Sequence, residues 1–429
     1  MGTSGERALI LSSDGHAMPK VRDYRPYLTP KLHERFDEFC AYYDMYGSVP
    51  SDPAHLRNRL DPDVLDQWVR DLYEPGRIEG IGDPVKRLAE LDREGIAGEV
   101  LFPDFGLPFQ AKPPTPTQRY STDPQWPART QEEIDEGNKA HNRWLVDFCS
   151  TAPERFCPMA IVAFDDVDAA MAEITWAREA GMGGVLLPTF NAEYPIFHPR
   201  YEPLWSLLED LEMPLNSHIA LSATQPMVMY SGIPHPAASN VLHTGEMMLR
   251  CHEILNHLIW GGVLERHPKL GVAFTEQGSA WTAATIEQAD YTYELSYQRR
   301  DIRELVPLKP SEYFRRQCWM GSSLFSRAEV EARHRIGLTQ MLLGMDYPHH
   351  EGTFQGGTTN YLQATLGAAG VPADEAKLLL GGNALARWRF EEAKVRPIAE
   401  RIGIELSVLL TPPEKDLFPR GDVHKPLAA

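Results

Sequence analysis

Short apolar runs bounded by turn residues recur along the chain, and stretches of helical periodicity separate them. The runs are Ala8–Ser13, Glu99–Pro103 (EVLFP), Phe156–Phe164 (FCPMAIVAF), Gly184–Pro188 (GVLLP), Pro214–His218 (PLNSH), Leu270–Thr275 (LGVAFT), Gln317–Gly321 (QCWMG) and Met341–Asp346 (MLLGMD). The fifth and seventh are the least strand-like in composition. Among the intervening helical stretches, Asp83–Glu94 sets Val85, Leu88 and Leu91 on one face. Glu132–Ser150, Asp166–Ala180, Pro203–Leu211 and Gly245–Arg266 complete the pattern, and the Asp-rich start of Asp166–Ala180 suits a helix N-terminus. Strand, helix, strand, repeated eight times, calls for parallel strands joined by right-handed crossovers. Eight such strands close a ring, so the expected architecture is a TIM-type (β/α)8 barrel of the α/β class. A doubly wound open sheet is the competing architecture. No Gly-rich phosphate fingerprint follows an early strand, which weakens its dinucleotide-binding form.

Three segments exceed what a barrel needs. Residues 19–80 form an insertion rich in Asp, Tyr and Pro. Residues 104–130 (with KPPTPTQRYSTDPQWP) and 219–245 leave strand ends as long rim loops. Loops of that length at an active-site rim serve as lids or binding loops, or as decoration and oligomer contacts. The expected organisation is a barrel over residues 1–390 and a C-terminal extension over 391–429. The extension packs on the barrel or on a second copy in a homodimer.

Composition narrows the function classes. Of 429 residues, 43% are hydrophobic, enough for a large core, and the formal net charge is −18. That charge argues against nucleic acid and anionic membranes as partners. No apolar run is long enough to span a bilayer, the N-terminal run is too short for a secretory signal core, and Glu6 stands where a myristoylation signal needs Ser or Thr. The five cysteines, Cys40, Cys149, Cys157, Cys251 and Cys318, form no CxxC pair. Reduced thiols in a cytoplasmic protein, and no thiolate metal site, are expected.

The informative feature is where the polar residues fall. Asp14 and His16 close the first strand, Glu99 opens the second, His218 closes the fifth, Glu276 follows the sixth, and Asp346 closes the eighth. Ends of barrel strands converge on one mouth. Residues two apart on a strand point the same way, so Asp14 and His16 enter that mouth together. Imidazole with carboxylate suits Zn²⁺ or Mn²⁺ better than Ca²⁺. Asp14, His16, Glu99, His218, Glu276 and Asp346 are therefore the candidate ligands, with Glu99 and Glu276 either ligating or orienting a ligand histidine. Asp346, His349 and His350 are the candidate catalytic residues. His252 and His257, at helical spacing with Leu255, Leu258 and Ile259, read as surface or helix-packing residues.

At these residues the chain resembles the amidohydrolase superfamily, in the branch that includes aminocarboxymuconate-semialdehyde and resorcylate-type decarboxylases. The resemblance runs from about Leu9 to Arg387. It is carried by SSDGH (12–16), GEVLFP (98–103), NSHIA (216–220), ERHPKLGVAFTEQGSAW (265–281), LLGMDYPHHEGT (342–353) and GGNALARW (381–388). It implies a distorted barrel holding one divalent ion at the strand ends. His16 and His218 correspond to metal-binding histidines, and Asp346 to an aspartate that contacts metal and handles a proton. Many members begin with HxH where this chain has Asp14, and some carry a histidine where it has Glu276; both changes harden the donor set.

The expected cofactor is one divalent metal ion, zinc first, with manganese or iron as alternatives. The expected activity is that of a hydrolase cleaving an amide or related C–N bond in a small-molecule or peptide-derived substrate. Metal-bound water, with its pKa lowered toward ~7, attacks; Asp346 takes its proton and returns it to the leaving group. The carboxylate-rich site and long loops favour this reading. Non-oxidative decarboxylation of an aromatic or unsaturated acid, with Asp346 protonating the carbon that loses CO₂, uses the same parts. A decayed barrel acting as a binding protein is the third alternative.

Overall fold

The structure is a computed structural model that describes residues 5–46, 53–57, 60–104, 106–109, 129–190, 192–219, 242, 245–246, 252–295, 299–355 and 357–414. Much of the two predicted rim loops, with His235 and His243 in the second of them, and Cys251 lie outside the described residues.

Eight parallel strands follow one another in sequence order. They are β1 (Ile10–Ser12), β2 (Ile96–Leu101), β3 (Phe156–Ile161), β4 (Gly184–Leu186), β5 (Leu215–His218), β6 (Val272–Thr275), β7 (Cys318–Ser323) and β8 (Met341–Gly344). Each pairs with its neighbour from β1–β2 to β7–β8. The ring closes between first and last: Ser13 N donates to Leu343 O (2.7 Å), Asp346 N to Asp14 O (3.1 Å), and His16 N to Tyr347 O (2.7 Å). The TIM-type (β/α)8 reading is what the chain adopts.

Every strand overlaps one of the predicted runs, because all strand residues but Ser323 at the end of β7 are buried and so must be apolar or internally bonded. The polar strand β5 satisfies this through Asn216, whose Nδ2 donates to Thr275 Oγ1 on β6 (2.9 Å). One boundary differs in a way that matters. β2 starts at Ile96, three residues before Glu99, so Glu99 lies inside the strand.

Helices fill the connections. Asp83 caps the helix Pro84–Glu94 by accepting from Val85 N and Lys86 N, and Gly95 at φ 73° ends it, turning the chain into β2. Thr130 and Glu133 form a capping box at the start of Gln131–Cys149. The predicted helix Gly245–Arg266 is interrupted: residues 252–260 are helical, and Gly262 at φ 72° restarts the chain as Val263–Arg266. Cys40, Cys149, Cys157 and Cys318 are buried. No helix among the described residues is long and apolar enough to cross a membrane.

Two additions shape the barrel's surroundings. Helix Glu392–Ile402 and the turn after it close over the N-terminal strand: Ala8 N donates to Ile404 O, and Leu406 N to Glu6 O. Val395, Ala399, Leu406 and Leu409 join the main core. The insertion before β2 is helical, and it makes a satellite core of Leu56, Trp68, Leu72 and Ile78 with Tyr347 and Phe354 from the segment after β8. It thus packs on the segment that carries Asp346 and His349.

Candidate active site

The strand ends deliver a compact group of imidazoles and carboxylates. Asp14 and His16 follow β1, His218 ends β5, Glu276 follows β6, and Asp346 and His349 follow β8. Two quartets, Asp14–His16–His218–Glu276 and His16–Glu276–Asp346–His349, each have ligating atoms within 4.8 Å of one another. An ion about 2.0–2.2 Å from each donor needs ligand atoms no more than about 4.4 Å apart, so a contraction of a few tenths of an ångström suffices. His16 and Glu276 belong to both quartets and join them into one site.

The histidines are oriented by their far nitrogens. His16 Nδ1 donates to Pro103 O (2.8 Å), which turns Nε2 toward Asp346 Oδ1 (3.3 Å) and Asp14 Oδ1 (3.8 Å). His218 Nδ1 donates to Ile219 O (2.9 Å), and its Nε2 faces Asp14 Oδ1 at 3.4 Å. His349 Nε2 faces Asp104 Oδ2 (3.5 Å), while Nδ1 lies 3.0 Å from Asp346 Oδ1 and 3.9 Å from Glu276 Oε1. An outer oxygen on one ring nitrogen and an inward-facing second nitrogen is the arrangement metal-binding histidines adopt. His16 and His349 stack with centroids 4.1 Å apart. Ser323 Oγ donates to Asp14 Oδ2.

Two features mark the group as built for a ligand. His16 Nε2 and both Asp346 carboxylate oxygens are buried without a hydrogen bond of sound geometry. Such atoms are costly unless something polar completes them. Asp346 (φ 55°) and Glu276 (φ 57°) also hold left-handed backbone, which a non-glycine residue adopts at some cost and which turns each side chain into the mouth.

The electrostatics follow from packing acids against imidazoles out of water. Burial and His349 act against the His16 proton, but Asp346, Asp14 and Asp104 outweigh them and raise His16 to about 9. Burial likewise opposes the His349 proton, yet Asp346 and Asp104 hold that ring well above the ordinary histidine range. Burial would lift Asp346, but His349 and His16 keep its carboxyl below the usual range. Glu276 goes the other way: burial first, then the charge of Asp346, lift it to about 7.

Of the candidate ligands, Asp14, His16, His218, Glu276 and Asp346 come together, and Glu99 does not. Sitting inside β2, Glu99 is fully buried against Arg87, whose Nε reaches its Oε2 at 2.7 Å. Burial raises its carboxyl despite that partner. Of the candidate catalytic residues, Asp346 and His349 join the site; His350 pairs with Glu351 (2.7 Å) and stands outside both quartets. His252 stacks on Trp281 and His257 packs edge-on to Phe197, and neither belongs to the two quartets. Asp104 was not among the sequence candidates. It lies three residues past the end of β2 and directly follows the predicted run Glu99–Pro103, so the strand-end signal for it was present in the sequence.

The barrel and its polar mouth define a class, and comparison with known proteins gives it a family. The amidohydrolase family model matches residues 87–390, well over half of the chain, so the protein belongs to that family. A gamma-resorcylate decarboxylase from Rhizobium sp. (strain MTP-10005) is 25% identical over 224 residues, 48% of this chain and 64% of that enzyme. The chain thus spans just under two thirds of that relative's length. Among solved structures, an amidohydrolase from Mycobacterium avium subsp. paratuberculosis K-10 superposes with TM-score 0.59 at 19% identity, covering 88% of this chain and 98% of the other. A manganese-bound 5-carboxyvanillate decarboxylase from Novosphingobium aromaticivorans DSM 12444 gives 0.57 at 16% identity, covering 92% and 99%.

These findings overturn the expectation of amide hydrolysis. The gamma-resorcylate relatives are decarboxylases, as are several of the structural neighbours. The hydrolytic reading rested on a carboxylate-rich mouth and long loops. A metal-binding acid–imidazole cluster serves C–C cleavage as readily, so those features did not discriminate.

Proposed function

We propose that the chain is a metal-dependent, non-oxidative decarboxylase of an aromatic carboxylic acid. The observation that carries the proposal is the buried convergence of Asp14, His16, His218, Glu276, Asp346 and His349 at the barrel mouth, in a chain related to decarboxylases. Asp14, His16 and His218, with a carboxylate from Asp346 or Glu276, would hold the ion. Two imidazoles among carboxylates accept zinc or manganese, and the manganese-bound neighbour favours manganese. When bound, the ion supplies positive charge against which substrate oxygens are fixed.

The chain's own groups manage the proton. His349 retains its proton at neutral pH and lies 3.0 Å from Asp346 Oδ1. It passes that proton through Asp346 to the ring carbon bearing the carboxylate. The carbon takes it up with a π-electron pair; the C–COO⁻ bond then breaks, its pair restores the ring, and CO₂ leaves. No oxidant is required. Asp104 holds the far side of the imidazole, so the ring keeps its aim through the cycle.

The test is direct. Metal-loaded protein is incubated with 2,6-dihydroxybenzoate, 5-carboxyvanillate and related hydroxylated aromatic acids, and CO₂ and the decarboxylated product are measured together. Equimolar formation of both, lost in Asp346→Asn, is expected. Absence of CO₂ from every acid in the panel, with the metal shown to be bound, overturns the reading.

A further inference from the structure

Beneath the metal-binding mouth lies an ion pair with no part in the chemistry above. Arg87 and Glu99 are both fully buried, with Arg87 Nε and one terminal nitrogen each 2.7 Å from Glu99 Oε2. The guanidinium reaches two ligand-bearing segments at once. Its NH1 donates to the backbone carbonyl of His16 (3.0 Å), and its plane lies 4.0 Å from the ring centre of Tyr347, the residue after Asp346. The pair also fills the space under Gly15, between Asp14 and His16. A Cβ there would sit 2.2 Å from Glu99 Oε1 and 2.7 Å from Arg87 NH2.

Stability alone is a weak reason for such a pair, since well-packed apolar residues commonly replace a buried ion pair at no net cost. What apolar side chains cannot supply is a fork that bonds the His16 carbonyl while bearing on Tyr347. We infer that Arg87 and Glu99 are positioning residues that fix the β1 end against the β8 end, so that Asp14, His16 and Asp346 meet one ion. The inference rests on the metal-site reading above.

The experiment compares Arg87→Met/Glu99→Met with the full-length parent. Mn²⁺ affinity is measured by calorimetry, the Co²⁺ absorption spectrum reports ligand geometry, and thermal unfolding reports the fold. The double variant is expected to unfold cooperatively near the parent's temperature, to bind Mn²⁺ about 10–100-fold more weakly, and to show an altered cobalt spectrum. A folded double variant with the parent's affinity and spectrum overturns the inference. Should the double variant fail to fold, Arg87→Lys decides. It keeps the charge opposite Glu99 but loses the planar fork, so weaker binding supports positioning and unchanged binding refutes it. A parent that binds no divalent ion at all would refute the metal site itself, a result separable from either variant's behaviour.

Discussion

Metal should enter this site only as a proton leaves it. His16 is raised to about 9 by the carboxylates around it, so at neutral pH the metal-free ring is an imidazolium. A ligand nitrogen must be neutral. Removing the His16 proton at pH 7 therefore costs about two pKa units, or about 3 kcal/mol at 1.4 kcal/mol per unit, roughly a hundredfold in apparent affinity. The sign is fixed by linkage. A raised histidine stabilises the metal-free fold fully below its unfolded value of 6.5, and that contribution disappears as pH rises through about 9. Metal binding gains over the same window. Chelator-stripped protein would be titrated with Mn²⁺ by calorimetry between about pH 6.5 and about pH 8.5, in two buffers of different ionisation enthalpy. At least one proton released per ion, with His218, also raised by Asp14 and Glu276 against burial, adding to the count, and a gain of at least about tenfold in affinity per pH unit are expected. Proton release below about a fifth of an equivalent, with affinity flat across the range, would refute the charge argument.

Other changes have equally definite outcomes. His349→Gln should keep Mn²⁺ bound yet slow CO₂ release by about 10²–10⁴-fold, the usual worth of a positioned proton donor; single-turnover assays would read this. Arg87→Met alone, which strands Glu99 in the interior, should lose about 3–5 kcal/mol in urea unfolding, whereas the double replacement stays near the parent. Trp68→Ala should cost about 3–5 kcal/mol by opening a cavity against Phe354, and amide exchange should quicken in the segment after β8. Asp83→Ala should cost about 1 kcal/mol through the lost helix cap, visible as a small fall in melting temperature with metal affinity unchanged.

Much of the fold was legible because burial leaves a direct trace in sequence. Even β5, with Asn216 and Ser217, could be placed from its neighbours; its polar atoms are answered by the adjacent β6 and the residues after it, Ser217 by Gln277 Nε2 at 2.9–3.0 Å. Asp14, His16, His218, Glu276 and Asp346 were found by one rule, that polar residues at strand ends share a mouth. The same rule erred at β2. Its apolar run was read as starting at Glu99, where Ile96–Gly98 belong to the same strand, and that shift made Glu99 a candidate ligand; Asp104, directly after the run, met the same rule without being singled out. Nothing local distinguishes His349 from His350. Their separation depends on the turn after Asp346, which aims one ring at Asp104 and leaves the other with Glu351. Arg87 was invisible for a related reason: on a helix bearing Lys86, Arg93 and several acids, it reads as solvated until packing turns it inward.

The satellite core has an evolutionary and practical corollary. Tyr347 and Phe354 depend on Trp68, Leu72 and Ile78 for their cover, so the helical insertion and the segment after β8 must change together. A minimised enzyme trimmed of residues 53–81 would bare an aromatic patch beside Asp346. Exchanging that insertion between relatives would transplant part of the support for Asp346 along with it.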